Sequence, residues 1–160
     1  MNLAITHWFA SRGWAVRGAQ RAMLAAAAAG EHALLVAPTG SGKTLAGFLP
    51  TLAELIDNPT DGLHTLYVSP LKALATDVAR NLLTPIAEMG LNIRVETRTG
   101  DTSSEHQKRQ RYDPPQILLT TPESLSLLLS YPDAAAMLAG VRTVIVDEIH
   151  AFATTKRGDL

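Results

Sequence analysis

Lys43 and Thr44 close the run Ala37-Pro38-Thr39-Gly40-Ser41-Gly42-Lys43-Thr44, and about a hundred residues later Val144-Ile145-Val146 leads into Asp147-Glu148-Ile149-His150. Gly40 and Gly42 tolerate backbone conformations that other residues avoid, so successive N–H groups can turn inward as an anion nest. A lysine at that point can reach the β- and γ-phosphates of a nucleotide, and the Thr44 hydroxyl suits Mg²⁺. A helix starting there would aim its positive end at the phosphates. Adjacent carboxylates at the end of an apolar strand point to different sides and can divide the work. Asp147 is expected to hold magnesium, and Glu148 to orient and deprotonate the attacking water. The chemistry is in-line hydrolysis of a nucleoside triphosphate. His150 by itself is equally a solvent-exposed residue after a strand, and no His-Glu-x-x-His zinc spacing surrounds it.

Such groups need a rigid frame. Short apolar runs at 33–37, 65–69, 93–97, 116–120 and 143–147 read as strands, each nearly continuous in apolar character, as parallel strands covered on both faces are. Between them, 19–29, 43–55, 72–88, 103–112 and 122–130 read as helices. Turn signals such as Asp61-Gly62, Met89-Gly90 and Asp113-Pro114-Pro115 separate the two kinds. The alternation predicts an α/β fold with a mostly parallel sheet and right-handed crossovers. The alanines at 25–29 are expected in a close-packed helix.

Composition sets the outer bounds. The chain has 160 residues, 46% hydrophobic and 18% charged, which is ordinary for a globular domain. It has no cysteine, which excludes disulfides and thiolate metal sites. A net charge of −1 gives no bulk attraction to a polyanion, so nucleic-acid binding would rest on placed amides and cations. The N-terminus lacks the basic start and apolar run of a signal peptide, and 22–37 is too short and too interrupted to span a bilayer. A soluble, cytoplasmic chain is the expectation.

Together, the loop at 38–44 and Asp147-Glu148-Ile149-His150 resemble the DExH-box helicases of superfamily 2. Ser69-Pro70-Leu71-Lys72-Ala73-Leu74 resembles their motif Ia, and Thr121-Pro122-Glu123-Ser124-Leu125 their motif Ib. Arg98-Thr99-Gly100-Asp101-Thr102 resembles the glycine-containing motif between them. With Thr155-Lys156-Arg157-Gly158-Asp159 the set is most similar to the large helicase-related group, and within it to the bacterial ligase-associated DEXH-box helicases. Gln20, downstream of Trp8, Phe9 and Trp14, resembles the adenine-reading Q motif, with Val16 and Gly18 where relatives often carry proline.

The resemblance implies the first RecA-like lobe of a P-loop ATPase, with ATP and Mg²⁺ as ligands and DNA repair as the setting. Gln20, Thr39, Gly40, Ser41, Gly42, Lys43 and Thr44 would bind nucleotide, and Thr44 and Asp147 the metal. Lys43, Asp147, Glu148 and His150 would serve catalysis, His150 by linking nucleotide state to motion. Ser69, Lys72, Thr99, Gly100 and Thr121 would meet single-stranded or tailed duplex DNA through helix N-termini. A DNA ligase and a nuclease are the implied protein partners. Plainer roles stay open: Thr121 as a helix cap, Lys72 on a solvated face, and the aromatics as core.

Helicases of this kind carry two such lobes, so the chain is expected to be an N-terminal fragment of a longer enzyme or a truncated product. The fold is then incomplete on its C-terminal side. A strand that inserts between 33–37 and 143–147 in RecA-like sheets is missing after His150, and the isolated chain is expected to be inactive. A nucleotide- or DNA-binding module without turnover is the alternative, as is another P-loop enzyme, although motifs Ia and Ib argue against the latter. RNA in place of DNA stays open, because backbone contacts separate the two polymers only where a 2′-hydroxyl is read.

Overall fold

Leu66, Tyr67 and Val68, and Ile117, Leu118 and Leu119, are each at most 6% exposed, and runs this apolar on both faces form strands at the centre of a sheet. The computed structural model of the chain describes residues 2–38 and 40–153. Its elements in order are α1 (Leu3–Ser11), α2 (Gly18–Ala28), α3 (Lys43–Asp57), β1 (Thr65–Val68), α4 (Lys72–Glu88), β2 (Val95–Arg98), α5 (Ser104–Tyr112), β3 (Ile117–Thr120), α6 (Pro122–Leu129), α7 (Ala134–Leu138), β4 (Thr143–Val146) and α8 (Ile149–Ala153). The backbone divides into two units, one running to Pro59 together with Thr84–Leu91, the other comprising Thr60–Leu83 and the chain from Asn92 onward.

The second unit holds a four-stranded sheet in the order β2-β3-β1-β4. All three pairings are parallel, with Val68 opposite Thr120 and Val146, and Arg98 opposite Thr120. The α/β parallel expectation is met. On one face Leu66, Val68 and Leu118 join Leu63, Leu128 and Met137 in a core, with Leu125, Leu138 and Phe152 packed against it. Leu118 is fully buried at the heart of this cluster, so Leu118→Ala removes apolar contacts and leaves a cavity. Equilibrium denaturation of that variant is expected to read about 2–5 kcal/mol of lost stability; a loss under ~1 kcal/mol would show the core to be looser than its burial indicates.

Two expectations about strands are corrected. β4 is an edge strand, and Val144 and Val146, on the same side as Leu66 and Val68, are 57% and 47% exposed. It is therefore not covered on both faces. Residues 33–37 make no ladder with any described strand, and Leu34 and Val36 are 76% and 85% exposed. An apolar run becomes a strand only when its N–H and C=O groups find a neighbour. The strand expected to lie beside this run is not among the described elements. The motif segment at 155–159 lies outside the described residues.

In the first unit, Ile5, Trp8 and Phe9 of α1 are buried, as are Phe48, Leu49, Leu52 and Leu55 of α3. Trp8 and Phe9 meet edge to face with ring centroids 5.2 Å apart. The Trp8 indole N–H donates to Glu88 Oε2 at 2.7 Å, and Arg12 Nε donates to the same oxygen at 3.0 Å. These bonds hold the Glu88 carboxyl below the ordinary carboxylate range, the indole contributing most. The alanines of α2 are helical but largely exposed, contrary to the close-packed expectation, and Gln20 is that helix's buried residue. Alanine's intrinsic helix preference is enough to form the helix without burial.

Candidate active site

Gly40 and Gly42 carry φ angles of +78° and +81°, a region closed to most side chains, and Gly42 is the N-cap of α3. Lys43 and Thr44 are therefore the first residues of a helix whose start has no side-chain cap. First-turn amides lie at the positive end of the helix dipole, where an anion is favoured. Among the described residues, buried Ser41 Oγ has no hydrogen-bond partner, which suits it to a ligand group. These features fit a polyphosphate. Thr39 lies outside the described residues.

Beside this loop is a cleft of about 430 Å³ lined by Phe9, Trp14, Arg17, Gln20, Gly42 and Leu45, among others. Gln20 is 4% exposed, and its Oε1 accepts the Arg17 main-chain N–H at 2.9 Å. Trp14 is 52% exposed and stands edge-on to Trp8 and Phe9, with centroids 5.7 and 6.5 Å away. Trp8 and Phe9 are thus core, whereas Trp14 keeps an accessible ring beside the glutamine.

The second unit presents the other residues along one edge. In a parallel sheet all strands end on the same side, where open α/β sheets bind their ligands. Thr99, Thr121, Ser69 and Asp147 each follow the last residue of β2, β3, β1 and β4, in that spatial order. Asp147 Oδ2 accepts the Tyr67 hydroxyl at 2.6 Å, and Oδ1 accepts the Glu148 N–H at 2.9 Å. Burial and this bond to Asp147 push the Tyr67 phenol far above its usual range, so it stays a donor. Glu148 adopts a φ of +51°, uncommon for a side chain with a Cβ, and such strain concentrates at functional positions. His150 Nε2 lies 3.3 Å from Glu148 Oε2, with its ring mostly exposed.

The nucleic-acid candidates differ in what they offer. Thr121 caps α6, its Oγ1 accepting the Ser124 N–H at 3.4 Å, and Pro122 follows at the first helical position. Thr99 Oγ1 accepts the Asp101 N–H at 3.3 Å, and Ser69 Oγ donates to Leu71 O at 3.2 Å. All three side chains are buried and locally bonded, and the Ser69 and Thr99 amides donate to Thr120 O and Thr102 Oγ1, each at 3.0 Å, which leaves exposed Gly100 to face a ligand. Lys72 Nζ lies 2.9 Å from Asp101 Oδ2, and both side chains are well exposed. An exposed pair of this kind contributes only about 0–1 kcal/mol, so a phosphate can compete for the lysine. Behind this edge, buried Arg98 donates through Nη1 to Gln107 O at 2.9 Å, and Thr120 Oγ1 donates to Arg98 O at 2.7 Å. These bonds seat α5 and the 99–102 turn on the sheet.

Sequence reading missed Arg17 and Tyr67. The signal for Tyr67 was a hydroxyl inside an otherwise apolar strand, since a buried tyrosine needs a partner. Tyr67→Phe keeps the ring but releases Asp147 Oδ2. It is expected to cost about 1–2 kcal/mol of stability in equilibrium denaturation, the worth of a charge-assisted bond. An unchanged stability would show that Tyr67 only fills space.

The glycine loop opening into α3 and the parallel sheet ending in carboxylates place the chain among P-loop α/β proteins. It belongs to the DEAD/DEAH box helicase family, whose model matches residues 17–160. A relative in Mycolicibacterium smegmatis, named Lhr helicase/probable uracil glycosylase, is 47% identical over 94% of this chain and 11% of its own length. The Escherichia coli Lhr helicase/uracil glycosylase is 48% identical over 82% of this chain and 10% of its own length. The ATP-dependent helicase Lhr-Core of Methanocaldococcus jannaschii is 41% identical over 96% and 20%. The chain thus spans between a tenth and a fifth of these relatives.

Among solved structures, Mycobacterium smegmatis helicase Lhr bound to ssDNA and AMP-PNP superposes with a TM-score of 0.89 at 45% identity, over 98% of this chain and 21% of that one. The DUF1998 helicase MrfA bound to DNA and AMPPNP gives 0.85 at 30%, over 95% and 21%. The likeness to the large helicase-related group is therefore shown, as is the RecA-like lobe. Among the described residues, no helix is long and apolar enough to cross a membrane.

Proposed function

We propose that this chain is the first motor lobe of a cytoplasmic, ATP-dependent DNA helicase or translocase acting in DNA repair. One observation carries the reading: a left-handed Gly40/Gly42 loop opens into the uncapped start of α3 beside a cleft that holds Gln20. The amides of 40–44 and Lys43 bind the phosphates, and Gln20 reads the adenine through its amide. Glu148 takes the proton of the attacking water. Among the described residues no cluster of three His, Cys, Asp or Glu could cage a metal alone. Thr44 and Asp147 would hold Mg²⁺ together with phosphate oxygens, and bound there it would neutralise charge on the transferring group.

The 69–72, 99–101 and 121 segments track one strand through backbone phosphates. The ssDNA held by the Mycobacterium smegmatis relative supports DNA as the polymer. The relatives supply no ligase or nuclease, so nucleic acid is the partner we propose. The test is strand displacement of a tailed DNA duplex by the full-length enzyme with ATP or AMP-PNP. ATP-dependent unwinding is expected; hydrolysis indifferent to any polynucleotide would overturn the reading and point to another class of P-loop enzyme.

A further inference from the structure

The Arg17 side chain does little for the helix it begins. It stands at the N-cap of α2, where Ser, Thr, Asp or Asn would accept an amide hydrogen bond, and a guanidinium has no acceptor. Its charge also sits at the positive end of the helix dipole. The side chain reaches the phosphate loop instead, where Nη1 donates to Ser41 O at 2.6 Å. Its main-chain N–H meanwhile donates to Gln20 Oε1 at 2.9 Å. A Cβ built on Gly42 would lie 3.5 Å from Arg17 Nη1 and 3.6 Å from Gln20 Nε2, so the loop, the arginine and the glutamine converge on one point.

We propose that Arg17 is a positioning residue that fixes the Ser41–Gly42 peptide for a triphosphate, while its main chain fixes the glutamine facing the base. The inference rests on the nucleotide reading above. Across a planar trans peptide, a carbonyl and the next N–H point in opposite directions. Binding Ser41 O therefore turns the Gly42 N–H away from Arg17 and leaves it free for an anion. A hydrogen bond from a charged donor is roughly twice as strong as a neutral one, which suits a loop whose two left-handed glycines offer no stiffness of their own. Because one residue touches both the loop and Gln20, base and phosphate recognition share a support.

The test titrates the full-length enzyme with two probes, AMP-PNP and inorganic tripolyphosphate, by calorimetry. Arg17 is exposed, so its variants are expected to fold. Arg17→Ala is expected to weaken both probes alike, by about tenfold, and Arg17→Lys to recover most of the loss because an ammonium can still reach the carbonyl. In turnover, KM for ATP rises with kcat nearly unchanged, the mark of uniform binding. Loss confined to AMP-PNP would overturn the proposal by placing Arg17's effect at the base. Unchanged affinity for both probes would overturn it outright. A wild-type enzyme that binds both probes yet unwinds nothing would defeat the helicase reading and leave the Arg17 result standing; one that binds neither defeats both.

Discussion

Glu148→Gln in the full-length enzyme is expected to stop ATP hydrolysis while leaving ATP binding intact. The substitution keeps the size and hydrogen-bonding reach of the side chain but removes the carboxylate that can accept a proton from water. Positioned general bases contribute about 10²–10⁴ in rate, so kcat is expected to fall by that range. The substitution leaves the sequence of the glycine loop unchanged, so the dissociation constant for AMP-PNP is expected to stay within about twofold. The backbone supports the assignment, because Glu148 is held at a φ of +51° and its N–H is tied to Asp147 Oδ1 at 2.9 Å. The side chain is thus aimed by a constrained main chain. Single-turnover hydrolysis with saturating ATP measures it directly; a kcat within threefold of wild type would remove Glu148 from the base role.

Lys43→Ala is expected to act on both binding and turnover. Lys43 opens α3 directly after the left-handed Gly42, so its ammonium adds a positive charge to the amides of the helix start. Removing one preorganised donor from a developing anion costs about 10²–10³ in rate, and kcat/KM for ATP is expected to drop by at least that much. AMP-PNP affinity is expected to fall as well, by about tenfold or more for a lost charge-assisted contact. This pattern separates the two substitutions: Glu148→Gln binds without turning over, whereas Lys43→Ala does neither well. Hydrolysis by Lys43→Ala near the wild-type rate would show that the loop serves a structural purpose.

Local signals were read well where the physics is local. Helix 72–88 has the expected bounds, α3 starts at Lys43 as the loop required, and Thr121-Pro122-Glu123 begins α6 as a cap, a proline and an acid predict. The short helices α1, α7 and α8 were not expected. α1 and α7 pack buried residues, Ile5, Trp8 and Phe9 on one and Ala134 and Met137 on the other, a contribution that a nine- or five-residue pattern does not announce. The run 33–37 misled because apolar β-rich composition describes a strand's surroundings, and the described chain supplies it no ladder partner.

The amino-acid order determined the chemistry: a glycine loop with Lys43 and Thr44, a strand ending in Asp147 and Glu148, and motif segments at the ends of three further strands. Those are patterns of residue type at short spacing, set by backbone freedom, helix starts and alternating apolar runs. Tertiary structure alone decided that the Tyr67 hydroxyl meets Asp147 and that Arg17 meets Ser41. It also decided that the side chains of Ser69, Thr99 and Thr121 turn inward. The partners in the first two pairs lie 80 and 24 residues apart, and only the parallel sheet in one case and the meeting of α2 with α3 in the other brings them together. Contacts at such separation are set by where elements pack, which no local pattern encodes.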